Sequence, residues 1–426
     1  MNWLIRHQVR EFVRRSAWIV PTMAIPLALI LAPLIRRFDD ATRWRGLDFT
    51  MDGAKTLLAA LPTATLTFII LILSMLLLTV QLASSQLSPR LIAGLLTRRP
   101  VKVCLHVFVF TYVYSTGALA RIGERVPQLP LMIAIGLTLL SIVAGLYLVD
   151  YMATALRPVR MLALTARVGR AVIEGVYPDL LSDSPDASIG GRPALPTPHD
   201  TVMRSGRAGV LKAMHVPGLI ALARESGGCI EVIPEVGDFV GKGDPCFRVH
   251  PGVHAIKIPR LQATLAFGDE RTPEQDPAFA FRILVDVACK ALSPAINDPT
   301  TAVLAIDQIH HLLRQVGLRR LDTGVVHDPS DGRLRVLYRT PDWDAFVLLA
   351  AAEVRQYGSD SIQVARRLRA MLENLIAVLP AQRATVLRQQ LRMLQSGVAR
   401  SFDEPEDRLQ AEVSDLQGVG GSHDGK

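Results

Sequence analysis

The sequence predicts an α-helical integral membrane protein with four transmembrane helices and a separate α+β region. Three observations predict it. Half of the 426 residues are hydrophobic and the mean hydropathy is +0.28, with the excess gathered in the first 156 positions. Four apolar stretches there approach or exceed the roughly 20 residues that cross a bilayer. Beyond them the pattern alternates between strand-like and helix-like segments, punctuated by proline and glycine. Charged residues make up 20% of the chain, so wholesale disorder is excluded. A simple soluble enzyme, a disulfide-stapled secreted domain and a fibrous repeat are excluded as well.

The spans fall at about 17–35, 57–82, 103–120 and 129–151. None carries a charge near its centre; His106 sits near one end of the third and Asp150 at the end of the fourth. The first exceeds the roughly 7–15 apolar residues of a cleaved signal peptide and reads as a signal anchor. Pro21 fits its first turn, whereas Pro26 is expected to kink it. Twelve Lys and Arg flank the spans on one side (Arg6, Arg10, Arg14, Arg15; Arg90, Arg98, Arg99, Lys102; Arg157, Arg160, Arg167, Arg170) and seven on the other. That bias places both termini and the soluble domains in the cytoplasm. Cys229, Cys246 and Cys289, an odd number without a CxxC, also suit a reducing compartment.

Four regions follow the spans. Residues 157–200 read as a basic juxtamembrane helix and a linker. The helix buries Leu156, Val159, Leu162, Ala166 and Val172-Ile173, and its arginines enforce topology or contact anionic lipid. Residues 201–260 read as a small β domain. There Val236-Gly-Asp-Phe-Val resembles the strand-turn-strand of barrel-sandwich modules, with Gly237 and Gly243 in turns and Val236, Phe239, Val240 and Phe247 inward. Lys212 precedes that stretch, so no carried biotin or lipoyl group is expected. Residues 261–402 read as mainly helical. Thr272-Pro273 caps a helix running to about Leu292, Asp298-Pro299 starts another through Leu313, a β-hairpin lies near 324–339, and helices follow near 341–357, 360–379 and 381–400. Residues 403–426 read as a disordered tail.

Four motifs carry a resemblance: Gln81 to Arg90, Asp238-Phe-Val, Glu270-Arg-Thr, and Ala291-Leu-Ser-Pro-Ala-Ile-Asn-Asp-Pro-Thr-Thr-Ala302. With them most of the chain resembles the bacterial predicted-membrane-protein family known as domain of unknown function 2254. The resemblance implies a bacterial cytoplasmic (inner) membrane location. It implies no activity and no catalytic residue.

Two residue sets are candidates for function. Gln81, Ser84, Ser85 and Ser88 share about 100° of a helix face, with Arg90 beyond them, and can line a pore mouth or contact another helix. Glu270, Arg271, Ser293, Asn297, Asp298 and Thr301 can meet a ligand or a neighbouring subunit. About 20 residues of helix would separate Glu270-Arg271 from Asn297-Asp298 by ~30 Å, so the two motifs would meet only across a subunit interface. Asp298 and Thr301 also have a purely structural reading as a helix cap. His250 and His254 are separated by Pro251-Gly252, and His310-His311 point apart, so no metal site is expected. No cofactor, nucleic-acid or catalytic motif is present, and the chain is not expected to be an enzyme. The spans read as a gated ion or small-solute conduit, a channel assembled as a homo-oligomer, with Thr111, Ser115 and Thr116 of the third span in support. The alternative is a membrane-tethered sensor or scaffold.

Overall fold

The computed structural model describes residues 3–42, 49–86, 98–123, 126–181, 193, 197–252 and 256–417. The chain forms two compact units, one of Arg10–Arg160 and one of Met1–Val9 with Met161–Lys426.

Among the described residues four helices are long and apolar enough to cross a membrane, and all four lie in the first unit. After an amphipathic helix α1 (Trp3–Arg15), the first span is broken into α2 (Ile19–Thr22) and α3 (Ala24–Thr42). Pro26 lacks the N–H that would bond the Thr22 carbonyl, so the break falls just ahead of the proline itself. The other spans are α4 (Met51–Gln86), α5 (Arg99–Leu119) and α6 (Gln128–Ala155). Helix α5 is central and packs on α2, α3, α4 and α6. Half of its apolar window is buried, against 17–22% for the other spans.

Two layers of side chains hold these helices together. One gathers Ala28, Ala32, Ala54, Leu58, Tyr114 and Leu131; the other gathers Ile72, Leu76, Phe108, Leu148 and Met152. Gly145 lets α6 close on α4, since a methyl group there would stand 2.2 Å from Phe68 Cζ. Inside lipid, small residues and interhelical hydrogen bonds hold helices together where the hydrophobic effect gives no preference. Ser141 Oγ accordingly donates to Thr111 Oγ1 at 2.9 Å in the buried seam between α5 and α6.

The second unit holds two sheets and a helical layer. The strands are β1 (Asp200–Met203), β2 (Gly209–Met214), β3 (Cys229–Val232), β4 (Phe239–Val240), β5 (Pro245–His250), β6 (Leu265–Gly268), β7 (Val325–His327) and β8 (Leu334–Leu337). One sheet has the order β1-β5-β3-β8-β7 and the other β4-β2-β6. Among the described strands only β3 and β8 run parallel. The expected hairpin β7–β8 is therefore an integral part of the larger sheet and not an appendage of the helices.

The barrel-sandwich expectation differs from this arrangement. Strands β4 and β5 do not pair with each other; β4 pairs with β2, and β5 with β1 and β3. The turn glycines do adopt positive φ, 102° at Gly237 and 88° at Gly243. Phe239, expected inward, is 71% exposed. Between β2 and β3 lies an unforeseen helix, Val216–Ser226, which covers the sheet core with Leu219, Leu222 and Ala223.

The remaining helices are the connector Pro158–Val176 (α7), that covering helix Val216–Ser226 (α8), Ile258–Gln262 (α9), Pro277–Ala291 (α10), Pro299–Gly317 (α11), Trp343–Gly358 (α12), Ile362–Val378 (α13), Ala384–Ser401 (α14) and Pro405–Ala411 (α15). Helix α7 buries Met161, Leu162, Thr165, Ala166, Gly169 and Ile173, while Val159 is exposed. A methyl group at Gly169 would lie 2.6 Å from Ala280 Cβ, so α7 is seated directly on α10. The tail expected to be disordered contains α15, which packs on α13 and buries Ala411. The signal was Glu404-Pro405 with acids in the first turn, a helix start that outweighs polar composition.

Candidate functional site

Helix α10 starts four residues later than Thr272-Pro273 would place it. Asp276 is its N-cap, accepting the Phe279 N–H at 3.0 Å, and Pro277 is the first helical residue. The released segment 269–276 becomes a loop pinned at both ends. Gln275 Oε1 accepts the Met214 N–H at 2.9 Å, and Thr272 is buried. Arg271 reaches forward to pair with the Asp276 carboxylate through both Nε and Nη2. Its guanidinium also lies over the Phe279 ring, 5.8 Å from the centroid.

The turn between β3 and β4 closes over this ion pair. Gly237 is required there twice, by its φ of 102° and because a methyl group would meet Arg271 Cζ at 2.4 Å. Asp238 accepts the Glu235 N–H at 2.9 Å and lies 3.9 Å from Arg339. Two tyrosines complete the cluster. The buried Tyr177 hydroxyl stands 3.5 Å from Thr340 Oγ1, and Tyr338 donates to Asp322. Two of the motifs singled out in the sequence, Asp238-Phe-Val and Glu270-Arg-Thr, thus meet within a single chain.

Burial sets the electrostatics. It pushes the Glu235 carboxyl above the usual carboxylate range, helped by Asp238 and opposed by Arg339 and Arg271. Burial also raises Asp276, against the pull of Arg271 and the α10 N–H groups. The Tyr177 and Tyr338 hydroxyls are pushed far above the ordinary tyrosine value, by burial first and then by neighbouring carboxylates. Three acids, Glu235, Asp238 and Asp276, thus share two arginines, Arg271 and Arg339, and a fourth, Asp322, stands behind Tyr338. Such a site favours a proton or an organic cation over an anion. Among the described residues no group of His, Cys, Asp and Glu is arranged to hold a metal ion.

The other candidates are placed differently. Ser293 Oγ donates to the Lys290 carbonyl at 2.7 Å, and Asp298 caps α11 through the Thr301 N–H at 3.0 Å and Thr301 Oγ1 at 2.5 Å. Asn297 is exposed with φ 48°, the one positive φ outside glycine among the described residues. Asp298 and Thr301 are therefore engaged in the cap. The 15 residues of α10 rise about 22 Å and separate them from Arg271. Glu270 is exposed at the rim of the loop.

In the membrane unit, Gln81, Ser84 and Ser85 lie on the last turns of α4 and Gln81 is exposed; Ser88 and Arg90 lie outside the described residues. Thr111 and Ser115 are buried inside the four-span unit, and Thr116 bonds its own helix at Tyr112. On α7, Arg157 just ahead of the helix, Arg160 and Arg167 are exposed, while Arg170 donates to His311 Nε2 at 2.6 Å. Burial and the flanking Arg170 and Arg314 hold His311 below the usual histidine value, as an acceptor. His310 bonds Asn374 at 2.9 Å and Arg367 at 3.1 Å. His250 is buried beside Glu231, and His254 lies outside the described residues. Lys212 is buried on β2.

Glu235, Asp276, Asp322, Tyr177, Tyr338 and Arg339 were not singled out from sequence. Asp276-Pro277 was legible, having the same form as Asp298-Pro299. The others come together only through packing.

Comparison with known proteins returns relatives of unassigned role. Uncharacterized proteins of Mycobacterium bovis and Mycobacterium tuberculosis are 27% identical over 428 aligned positions, covering 95% of this chain and 80% of theirs. No solved structure matches. The family model described as "Predicted membrane protein", domain of unknown function 2254, matches residues 14–374. That span takes in the four apolar helices, both sheets and the Arg271 cluster, and the chain belongs to this family of membrane proteins.

Proposed function

We propose that the protein is a membrane-anchored sensor of the bacterial inner membrane, with both termini and the α+β region in the cytoplasm. The spans anchor and assemble it, and the cluster around Glu235 and the Arg271–Asp276 pair is its responsive element. The observation that carries this reading is the desolvated Glu235 carboxyl within electrostatic reach of the half-buried Arg271–Asp276 pair, on a loop that joins the sheet to α10. Protonation or a bound cation changes the charge balance there, and with it the Arg271–Asp276 pair that holds the loop 269–276 in place. The Lys and Arg bias, and the odd number of cysteines after the spans without a CxxC, support the cytoplasmic placement.

Hydrogen exchange on the full chain in nanodiscs tests it. Protection of 235–238 and 269–276 is expected to change as pH rises through the folded-state value of Glu235, and Glu235→Gln is expected to reduce the change, leaving the part that belongs to Asp276. Exchange in both segments that ignores pH and the substitution would refute the reading.

One observation favours the second reading, an oligomeric conduit. Helix α4 exposes an open face of small residues, Thr56, Ala59, Ala60, Thr63, Ala64 and Thr67, bounded by Phe68 and Leu71. Its threonine hydroxyls bond their own helix at Asp52, Ala59 and Thr63, leaving a smooth small-residue face of the kind that packs against another span. The inward turn of Thr111 and Ser115 leaves this face, and not the third span, to line any path between copies. Ion flux in reconstituted vesicles that is lost on Thr63→Leu would establish the conduit.

A further inference from the structure

We propose that α1 is an interfacial helix whose exposed apolar face lies in the headgroup layer of an anionic bilayer. Ile5, Val9, Phe12 and Val13 are 48%, 51%, 59% and 47% exposed. At 100° per residue they share a face about 100° wide. Four large apolar side chains in register on one exposed helix face are not scattered surface residues but a face that lacks its solvent. Arg6, exposed, stands at the edge of this face, and the same helix sequence carries Arg10, Arg14 and Arg15.

Chain continuity names the occupant. Helix α1 ends at Arg15 and the first span begins at Ile19, so the end of α1 is tied within a few residues of the bilayer. Trp18 lies between them, 61% exposed and in edge contact with Phe12 at 6.5 Å. Tryptophan of this amphipathic kind settles at the membrane–water boundary. An apolar face, a basic sequence and an adjoining span are together the chemistry of a helix lying on anionic lipid.

The opposite side of α1 is already used. Trp3 and His7 lie about 180° from Ile5, and Trp3 stacks on both His7 and His215, with centroids 5.2 Å and 4.9 Å apart. His215 opens α8, and Gly218 leaves room for its ring, since a methyl group there would lie 2.4 Å from Nδ1. Trp3 thereby occupies the face of α1 opposite Ile5 with His215 and leaves the Ile5 face exposed. The proposal stands whether the spans conduct or only anchor.

The test uses the full chain in vesicles of phosphatidylcholine alone or with phosphatidylglycerol, doped with a lipid that carries a photoactivatable diazirine. Peptide mapping should find label on Ile5, Val9, Phe12 and Val13 and little on Trp3 and His7, with the span peptides as internal reference. Labelling should rise with phosphatidylglycerol and fall with added salt, and Phe12→Glu should lower it about tenfold or more on the remaining α1 positions. Labelled spans with an unlabelled α1, or label spread evenly around the helix, would overturn the proposal; cross-linking of α1 to a second copy in that case would identify protein as the cover. Equal labelling in both lipid mixtures would overturn the anionic preference.

Discussion

Gly237→Ala attacks the closure of the candidate site at its tightest point. The substitution forces a side chain into φ 102° and puts a methyl group 2.4 Å from Arg271 Cζ. The backbone strain costs about 1–3 kcal/mol. Arg271 must also move, and it is the side chain that pairs with Asp276, whose carboxylate is 3% exposed. Leaving that carboxylate short of its partner costs about 1–3 kcal/mol more. The expected loss is therefore about 2–6 kcal/mol, a large part of the stability of an ordinary domain.

The loss has a pH signature. Asp276 is already raised by burial, so in acid it takes up a proton and tolerates separation from Arg271 more easily. The difference between wild type and Gly237→Ala should widen as pH rises through the folded-state value of Asp276. Urea unfolding of the full chain in nanodiscs, followed by the fluorescence of buried Trp343, measures it. The double variant Gly237→Ala/Arg271→Ala isolates the clash, because removing the guanidinium removes the steric conflict. Its loss should be smaller than the sum of the two single losses. Strict additivity would refute the close approach of Gly237 and Arg271 as the cause.

Three further predictions follow from the same packing. Glu235, raised by burial, contributes stability that is fully present below its unfolded-state value and is lost as pH rises through its folded-state value; Glu235→Gln should therefore equal wild type in acid and exceed it at pH 8, read as urea midpoints (about a one-sided pH dependence). Arg355 is 7% exposed and, among the described residues, has no hydrogen-bond or ion-pair partner, while burial and Arg400 depress its basicity; Arg355→Met should leave stability unchanged or raise it by about 1 kcal/mol, and a loss of that size would reveal a compensating partner. Gly145→Leu should push α6 off Phe68 and cost about 1–3 kcal/mol of helix packing in the membrane unit, measured as a lower thermal midpoint in detergent, whereas the open Gly136 should accept leucine without loss.

What the sequence determined by itself was local. The four spans follow from apolar length, the break in the first from Pro26, and the start of α11 from Asp298-Pro299, because hydrophobic periodicity, proline and capping act over a few residues. The helix Val216–Ser226 was equally local, with Pro217 in its first turn, Leu219, Leu222, Ala223 and Ser226 on one face and Gly227 after its end, but the surrounding glycines were read as strand punctuation. The tail helix α15 was lost to composition in the same way. Tertiary structure decided everything that required distant segments to meet. It set β8 beside β3 across 100 residues, sent β4 and β5 to different sheets, turned Thr111 and Ser115 inward, and brought Tyr177, Glu235, Arg271 and Tyr338 around one ion pair. None of these pairings has a periodicity or spacing that marks it, because a long-range contact is selected by the burial of both partners at once. The raised carboxyls arise from that burial, so the electrochemistry of the candidate site came into view only with the fold.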